Sequence, residues 1–281
     1  EPDAGRSSSL PLEPRAGWGS RTALYTAAHD QITLRRGYAT KLQPRGSRDA
    51  VSPAFAAGAD QYGGFSQFAD EGSMKPFARD LGGVLGAATF HGGRPLGFSG
   101  FDVGARFGGQ FYPSKGNNIL RNGGVRVFGL PWAQAEVGMP FKISGFIRGI
   151  SYQGLTIAGG GLRYGLYAAS DKPWAPQVLV SAVAHSVVHT DFSASHVGMN
   201  LVCSAGTPIF APYAGVGFDR TRLVVRQSTL DPTLNGRVVN TLESRFTLGM
   251  RLTPYQFTYL SLAATMAHGQ AGAEAGLGIR F

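Results

Sequence analysis

Hydrophobic and polar residues alternate along the last two thirds of the chain. In the stretch ESRFTLGMRL, Phe246, Leu248 and Met250 share one parity, whereas Arg245 and Arg251 share the other. Because successive side chains of a strand point to opposite faces, this period of two predicts strands with one apolar and one polar face. About ten such segments follow one another, separated by turn residues.

The links between these segments fall into two groups. GMPF, SDKPWAP, AGTPIFAP and TPYQF are short, and they alternate along the chain with links that include two long polar ones, PSKGNNILRNGG and RQSTLDPTLNGR. Aromatic residues collect at the short links: Phe141, Trp174, Phe210, Tyr213, Tyr255, Phe257 and Phe281. Short turns with an aromatic girdle at one rim and longer loops at the other are typical of transmembrane barrels.

Two other patterns precede the strands. Residues 1–60 are rich in Pro, Ser, Arg and Gly without sustained periodicity, which predicts a disordered or leader segment. Residues 61–98 contain SMKPFARDLGGVLGAATF, which has helical periodicity and could be capped by Ser73. The apolar face of this helix comprises Phe77, Leu81, Val84 and Leu85. Such a helix either packs on the barrel or enters its lumen as a plug.

Composition narrows the class of protein. Only 15% of the 281 residues are charged, below the roughly 25% of soluble domains, and no apolar run approaches the roughly 18 residues of a membrane helix. Cys203 is the single cysteine, so the chain can form no internal disulfide or thiolate metal cage. The net charge is +9, but the arginines are scattered at strand spacing, so we predict no nucleic-acid partner.

The polar strand face distinguishes a membrane barrel from a β-sandwich or a soluble barrel. Its positions hold Gly, Arg, Gln, Tyr and Asn rather than the Lys, Glu and Thr of a solvent-facing strand. Glycine weakens a strand, but it leaves room for arginines to pair with carboxylates across a narrow lumen. The terminal AGAEAGLGIRF needs a partner strand, and lipid would cover Leu277, Ile279 and Phe281. We therefore predict an all-β fold, a closed antiparallel transmembrane β-barrel of about ten strands (8–12) with a short N-terminal amphipathic helix.

These features resemble the bacterial outer-membrane β-barrel superfamily over residues 99–281. The final GLGIRF resembles the assembly signal of that superfamily, with Phe281 as its terminal aromatic residue. The resemblance implies a location in the bacterial outer membrane and contact with its lipid and lipopolysaccharide. It also implies recognition by the outer-membrane assembly machinery. We predict no cofactor.

Charged residues on the polar face form the main candidate site. The predicted lumen-lining set comprises Asp102, Arg106, Arg126, Glu136, Arg148, Arg163, Glu243, Arg245, Arg251, Glu274 and Arg280. Opposite charges would pair across a narrow barrel. Because arginine outnumbers acid, unpaired guanidinium groups would favour anions, and small anionic solutes are predicted partners.

A second group of candidates flanks one predicted hairpin. It comprises His185, His189, Asp191, Ser193, Ser195 and His196. A histidine beside a carboxylate and a hydroxyl could support hydrolysis, and His185 with His196 could bind a metal on paired strands. The segment matches no motif for either chemistry, so we predict no catalytic residues and no metal site.

Three functions are compatible with this sequence. The leading hypothesis is a narrow pore or transport barrel in which residues 61–98 gate or plug the lumen. The second is a non-conducting structural or adhesion barrel that acts through extracellular loops at 113–124 and 227–237. The third is a membrane-embedded hydrolase.

Overall fold

A computed structural model describes residues 60–168 and 172–281. Ten strands form a closed antiparallel barrel in which sequence neighbours pair and the first strand pairs with the last. At this closing seam Asp102 lies opposite Arg280. The predicted fold class is confirmed. The prediction for residues 1–60 lies almost wholly outside the described residues.

The strands are β1 (Phe101–Phe111), β2 (Val127–Gly138), β3 (Ile143–Tyr152), β4 (Leu155–Ala168), β5 (Gln177–Val188), β6 (Phe192–Ser204), β7 (Phe210–Val225), β8 (Val238–Tyr255), β9 (Thr258–Ala267) and β10 (Gln270–Arg280). The helices are α1 (Phe65–Phe68), α2 (Glu71–Gly86) and α3 (Asn118–Asn122), with a 3-10 turn at Pro232–Leu234. Among the described residues, no helix has both the length and the apolar run required to cross a bilayer.

The two ends of the barrel differ. We call the end with the β1–β2 and β7–β8 links the loop rim, and the end with Phe101 and Phe281 the terminal rim. Two other links at the loop rim are two-residue turns, Gln153–Gly154 and His268–Gly269, in which both residues have positive φ. Positive φ at both positions is the type I′ geometry that suits the twist of a hairpin. Long loops at this rim are therefore confined to two hairpins.

The outward face of the barrel is apolar. Phe246, Leu248 and Met250 of β8 are 50%, 57% and 42% exposed, and Leu277 and Ile279 of β10 are exposed as well. A continuous apolar band of this kind is not stable in water, whereas a closed barrel satisfies its own backbone within lipid. The medium around the band is therefore lipid, as predicted.

Aromatic residues surround the terminal rim. Trp174 packs against Phe210, and Phe257 packs against Phe281, with ring centroids 6.3 Å and 5.8 Å apart. The prediction that Tyr213 belongs to this girdle is wrong, because its side chain points into the barrel from β7 and is only 3% exposed. The girdle is therefore formed without it.

Helix α2 lies inside the barrel. Its Phe77, Leu81 and Leu85 are fully buried. A Cβ on Gly82 would lie 2.3 Å from Thr221 Oγ1 of β7, and one on Gly83 would lie 3.3 Å from the Ala267 Cβ. The glycine pair therefore lets the helix approach the barrel wall. We call residues 61–98 the plug, because after α2 the chain continues through the lumen to the terminal rim.

The ends of α2 differ from the prediction. Asp70 is the N-cap: its carboxylate accepts from the Ser73 amide, and the Ser73 hydroxyl oxygen accepts from the Asp70 amide. Ser73 therefore completes a capping box instead of starting the helix. The helix ends at Gly86, because Ala87 has extended backbone angles.

The interior is apolar toward the loop rim, which the alternation alone did not indicate. Inward-facing Phe128, Leu130 and Trp132 of β2 are buried with the apolar face of α2 in one cluster. Phe77 of α2 contacts Phe192 of β6 with ring centroids 5.2 Å apart. The polar half of the lumen therefore starts only below this core.

Replacing an outward residue in the middle of the apolar band tests its contact with lipid. We expect Leu248→Arg to destabilise the barrel by about 2–4 kcal/mol, because a charge at the bilayer midplane is costly. The exposed Asn240 lies on the same strand near the loop rim, and Asn240→Arg should cost about 0–1 kcal/mol. Reversible denaturant unfolding from phospholipid vesicles measures both values. Equal costs at the two depths would contradict a lipid-facing band.

Candidate functional site

Most residues predicted to line the lumen lie inside the barrel. The buried members are Asp102, Arg106, Glu136, Arg148, Arg163, Arg245 and Glu274. Arg251 and Arg280 are partly exposed toward the terminal rim, and Glu243 pairs with Arg79 of α2 at 2.6 Å. The prediction is wrong for Arg126, which is exposed at the loop rim. Arg126 has the inward parity, but it precedes the first residue of β2 and so lies outside the sheet.

Arg148 of β3 binds the C-terminal end of α2. Its Nη1 and Nη2 both donate to the Ala87 carbonyl at 3.1 Å, and Nη2 also donates to the Leu85 carbonyl at 2.9 Å. The last carbonyls of a helix lack partners within the helix and carry the negative end of its dipole. The buried guanidinium group of Arg148 donates hydrogen bonds to these carbonyls, and its positive charge interacts favourably with the negative end of the helix dipole. Trp132 adds a cation–π contact, with its ring centroid 3.9 Å away.

Arg163 of β4 makes a similar contact further along the plug. It donates to the Thr89 carbonyl and to the carboxylate of Glu136. The other oxygen of Glu136 accepts from Ser144 Oγ at 2.6 Å. One guanidinium therefore connects the extended part of the plug to a carboxylate on the barrel wall.

Asp102 and Tyr259 organise the polar groups nearer the terminal rim. Tyr259 Oη donates to Asp102 Oδ1 at 2.7 Å and accepts from Arg106 Nη2 at 2.5 Å. Arg280 donates through Nε to Asp102 Oδ2 at 3.2 Å, and its Nη2 lies 2.8 Å from His91 Nε2. His91 stacks on Tyr259 with centroids 4.7 Å apart. This part of the plug is therefore held by one aromatic stack and one guanidinium.

Another group of polar side chains surrounds Asp219 of β7. Its carboxylate lies 3.2 Å from His196 Nε2 and 3.5 Å from Arg245 Nη2, which also donates to Asn200 Oδ1 at 2.7 Å. His185 and His196 are paired across β5 and β6, with their Nδ1 atoms 3.1 Å apart. Within the described residues, no group of three or more His, Cys, Asp or Glu side chains could hold a metal ion.

The plug supplies acceptors for the arginine excess of the lumen. Two of the buried arginines, Arg148 and Arg163, donate to backbone carbonyls of the plug, and Arg280 contacts His91. Sequence parity alone could have found Asp219, which occupies an inward position of β7. The backbone carbonyls that accept from Arg148 and Arg163 could not have been identified from the sequence, because every residue has a backbone carbonyl.

At the loop rim, a separate network of hydrogen bonds surrounds Asp80 of α2. Its buried carboxylate accepts from Gln110 Nε2 at 2.9 Å, from Asn117 Nδ2 at 2.7 Å and from Ser114 Oγ at 2.5 Å. His268 Nε2 lies 2.8 Å from the same carboxylate. One side chain of the plug thereby joins β1, the β1–β2 loop and the β9–β10 turn.

The two long loops fold onto the plug. The Ser66 carbonyl of α1 accepts from the amides of Thr229 and Leu230 at 2.8 Å and 3.2 Å. Ile119 of α3 and Leu234 of the 3-10 turn are buried in the same core as α2. We call the loops Pro113–Gly124 and Gln227–Arg237, which pack against α1 of the plug, the rim cap.

The residues considered for hydrolysis do not converge. His189 stacks on Phe192, with centroids 4.8 Å apart, and its Nδ1 accepts from the Asp191 amide at 3.2 Å. Burial lowers the pKa of His189, although the nearby Asp191 acts in the opposite direction. Ser193 and Ser195 occupy the outward parity of β6. In the described part of the chain, neither hydroxyl is hydrogen-bonded to an imidazole.

No protein-family model and no curated protein matches the chain. Among solved structures, the N-terminal β-barrel domain of Pseudomonas aeruginosa OprF is 12% identical with a TM-score of 0.34, and the match covers 66% of this chain and 100% of that one. Neisserial surface protein A is 12% identical with a TM-score of 0.28, covering 64% and 95%. The attachment invasion locus protein Ail of Yersinia pestis is 8% identical with a TM-score of 0.23, covering 66% and 99%.

The class of protein follows from the geometry of the chain itself. An even number of antiparallel strands closes into a barrel, an apolar band faces outward, and aromatic residues surround one rim. These are the properties of bacterial outer-membrane β-barrels. The chain therefore has the fold of outer-membrane β-barrels, the class that its sequence resembles, and its lumen contains α2.

Removing the guanidinium at the end of α2 tests how the plug is held. We expect Arg148→Met to leave the buried Leu85 and Ala87 carbonyls unsatisfied, which costs about 1–3 kcal/mol. Hydrogen exchange should show a matching fall in local opening free energy around the end of α2. Arg126→Met is the matched control and should change nothing, because Arg126 is exposed. Unchanged protection in Arg148→Met would contradict a role of Arg148 in holding the plug.

Proposed function

We propose that the protein is a non-conducting outer-membrane barrel that acts through its rim cap. The observation that carries this proposal is the occupation of the lumen from rim to rim by the plug. This proposal favours the second of the three hypotheses drawn from the sequence over the leading one.

The energy of the apolar core supports a plug that stays in place. Seven large side chains of the plug are at most 1% exposed: Tyr62, Phe65, Met74, Phe77, Leu81, Val84 and Leu85. Moving each into water costs about 1.5–3 kcal/mol, or roughly 10–20 kcal/mol together. The whole stability of a typical domain is about 5–15 kcal/mol. Withdrawal of the whole plug would therefore cost as much as unfolding.

The polar contacts between the plug and the barrel also oppose withdrawal of the plug. If the plug withdrew, Arg148 and Arg163 would lose the carbonyl groups to which they donate. Asp80 would lose its donors on β1 and in the β1–β2 loop. A buried charge that loses its partner is strongly destabilising, at about 3–5 kcal/mol.

In the orientation that we propose, the rim cap lies at the cell surface. Outer-membrane barrels have short periplasmic turns and longer extracellular loops. The two longest described links, 112–126 and 226–237, both lie at the loop rim. The rim cap covers this end with packed helices and loops, which is suited to contact with a partner outside the cell.

Ion conductance tests the closed lumen. We expect the full chain to carry no steady current in planar bilayers, because the plug fills the path. A matched variant carries Gly82→Cys and Thr221→Cys in a Cys203→Ser background. A Cβ at residue 82 would lie 3.4 Å from the Thr221 Cβ, close to the roughly 3.5–4.5 Å of a disulfide. Oxidation of this variant fixes α2 to the wall, and both redox forms should be silent.

A gated narrow pore is the second candidate, and the arginine excess of the lumen favours it. Once the plug left, the freed guanidinium groups of Arg148 and Arg163 would attract anions. Under that alternative the reduced double-cysteine variant passes an anion-selective current that oxidation abolishes. This result would overturn the proposed function.

Surface labelling tests the orientation. A membrane-impermeant amine reagent applied to intact cells should modify Lys75 and Lys115, which are exposed at the loop rim. Lys142 is also exposed but lies at the terminal rim, so it should react only after lysis. Peptide mass spectrometry distinguishes these sites. Modification of Lys142 alone on intact cells would mean that the barrel has the opposite orientation.

A further inference from the structure

The outward face of the barrel carries very few charges. Among the described strand residues with outward parity, Arg220 and Arg222 of β7 are the only charged side chains. Both are exposed, and neither has an ion pair or a hydrogen bond within the described residues. Charges on the lipid face of a barrel are costly near the midplane but tolerated near the interface. Two neighbouring arginines on this face are therefore expected to interact with a group outside the chain.

The depth of these arginines indicates what they meet. Along the outward side of β7, Val216 and Phe218 belong to the apolar band, and Arg220 and Arg222 follow directly toward the loop rim. With the loop rim at the cell surface, as in the proposed function, they lie where the hydrocarbon of the outer leaflet ends and its headgroups begin. Long arginine side chains reach such a boundary from within the apolar band.

Polar neighbours flank the upper arginine. Arg222 is paired with Ser195 on β6 and with Asn240 on β8, and both of these residues have outward parity. Directly paired residues on one face have Cβ atoms about 4.5–5.5 Å apart. A hydroxyl, an amide and two guanidinium groups thus lie together on one side of the barrel. All of them can donate hydrogen bonds to an anion.

An apolar groove continues from these donors toward the middle of the band. It has a volume of about 420 Å³, and Arg220 lies among its lining residues. The other main lining residues are Val197, Met199, Leu201, Val216 and Leu242. The groove and the donors together have the two halves of an amphiphile: a slot for an acyl chain and a cationic group at headgroup level.

We propose that Arg220 and Arg222, with Ser195 and Asn240, bind a phosphate of the acylated glycolipid in the outer leaflet. One acyl chain of the same molecule lies in the groove between β6, β7 and β8. Guanidinium groups bind phosphate oxygens in a bidentate manner, and the outward positions of these three strands contain no Asp or Glu that would compete. The site is on the outside of the barrel and is independent of whether the lumen conducts.

Native mass spectrometry of the detergent-purified full chain tests this site. The probes are bis-phosphorylated lipid A, fully dephosphorylated lipid A and phosphatidylglycerol. We expect Arg220→Gln/Arg222→Gln to bind bis-phosphorylated lipid A at least about tenfold more weakly than the wild type, since two charged hydrogen-bonding groups are lost. The wild type should bind dephosphorylated lipid A and phosphatidylglycerol at least about tenfold more weakly than it binds bis-phosphorylated lipid A. Arg220→Lys/Arg222→Lys keeps the charge without the planar fork and should give an intermediate affinity.

The matched control removes the same charge elsewhere. Arg121 and Arg126 are exposed at the loop rim near β2, which lies five strands from β7 in either direction. Arg121→Gln/Arg126→Gln should bind bis-phosphorylated lipid A like the wild type. The proposal is overturned if both double glutamine variants lose the same affinity, if neither loses any, or if the wild type binds dephosphorylated lipid A or phosphatidylglycerol equally well.

Discussion

Backbone hydrogen bonding in a medium without water is the constraint on which the rest of this structure depends. An unpaired backbone group in hydrocarbon costs several kcal/mol, so β1 must pair with β10 and the sheet must close. Closure of ten strands creates an interior that has to be filled, and α2 occupies it. The helix in turn brings unpaired carbonyls to the middle of the barrel, where Arg148 binds them.

Glycine and arginine act together in this interior. A Cβ on Gly276 would lie 2.8 Å from Arg106 Nη1, and a Cβ on Gly86 would lie 2.5 Å from Arg245 Nη1. Side chains at these positions would displace the guanidinium groups. Glycine at these two positions therefore has a steric role in a lumen that holds both a helix and several arginines.

Much of the architecture could be predicted because its determinants are local. Alternation of polar and apolar residues specified strands, their approximate number and the outward set that includes Leu248. Errors occurred at boundaries. Arg126 has the correct parity but precedes β2, and Ser73 lies within the capping box of a helix that starts at Glu71. Parity identifies the face of a residue, but it does not identify where pairing with the next strand ends.

Local patterns in the sequence were enough to predict a lipid-facing barrel, the pairing of its last strand with the first, and an amphipathic helix before the first strand. The position of this helix inside the barrel emerged from the three-dimensional structure, because an apolar helical face packs equally well on an outer wall or in a lumen. It also decided that Arg148 and Arg163 donate to carbonyls of the plug. Periodicity is a property of neighbouring residues, whereas these contacts depend on distances between residues more than sixty positions apart in the chain.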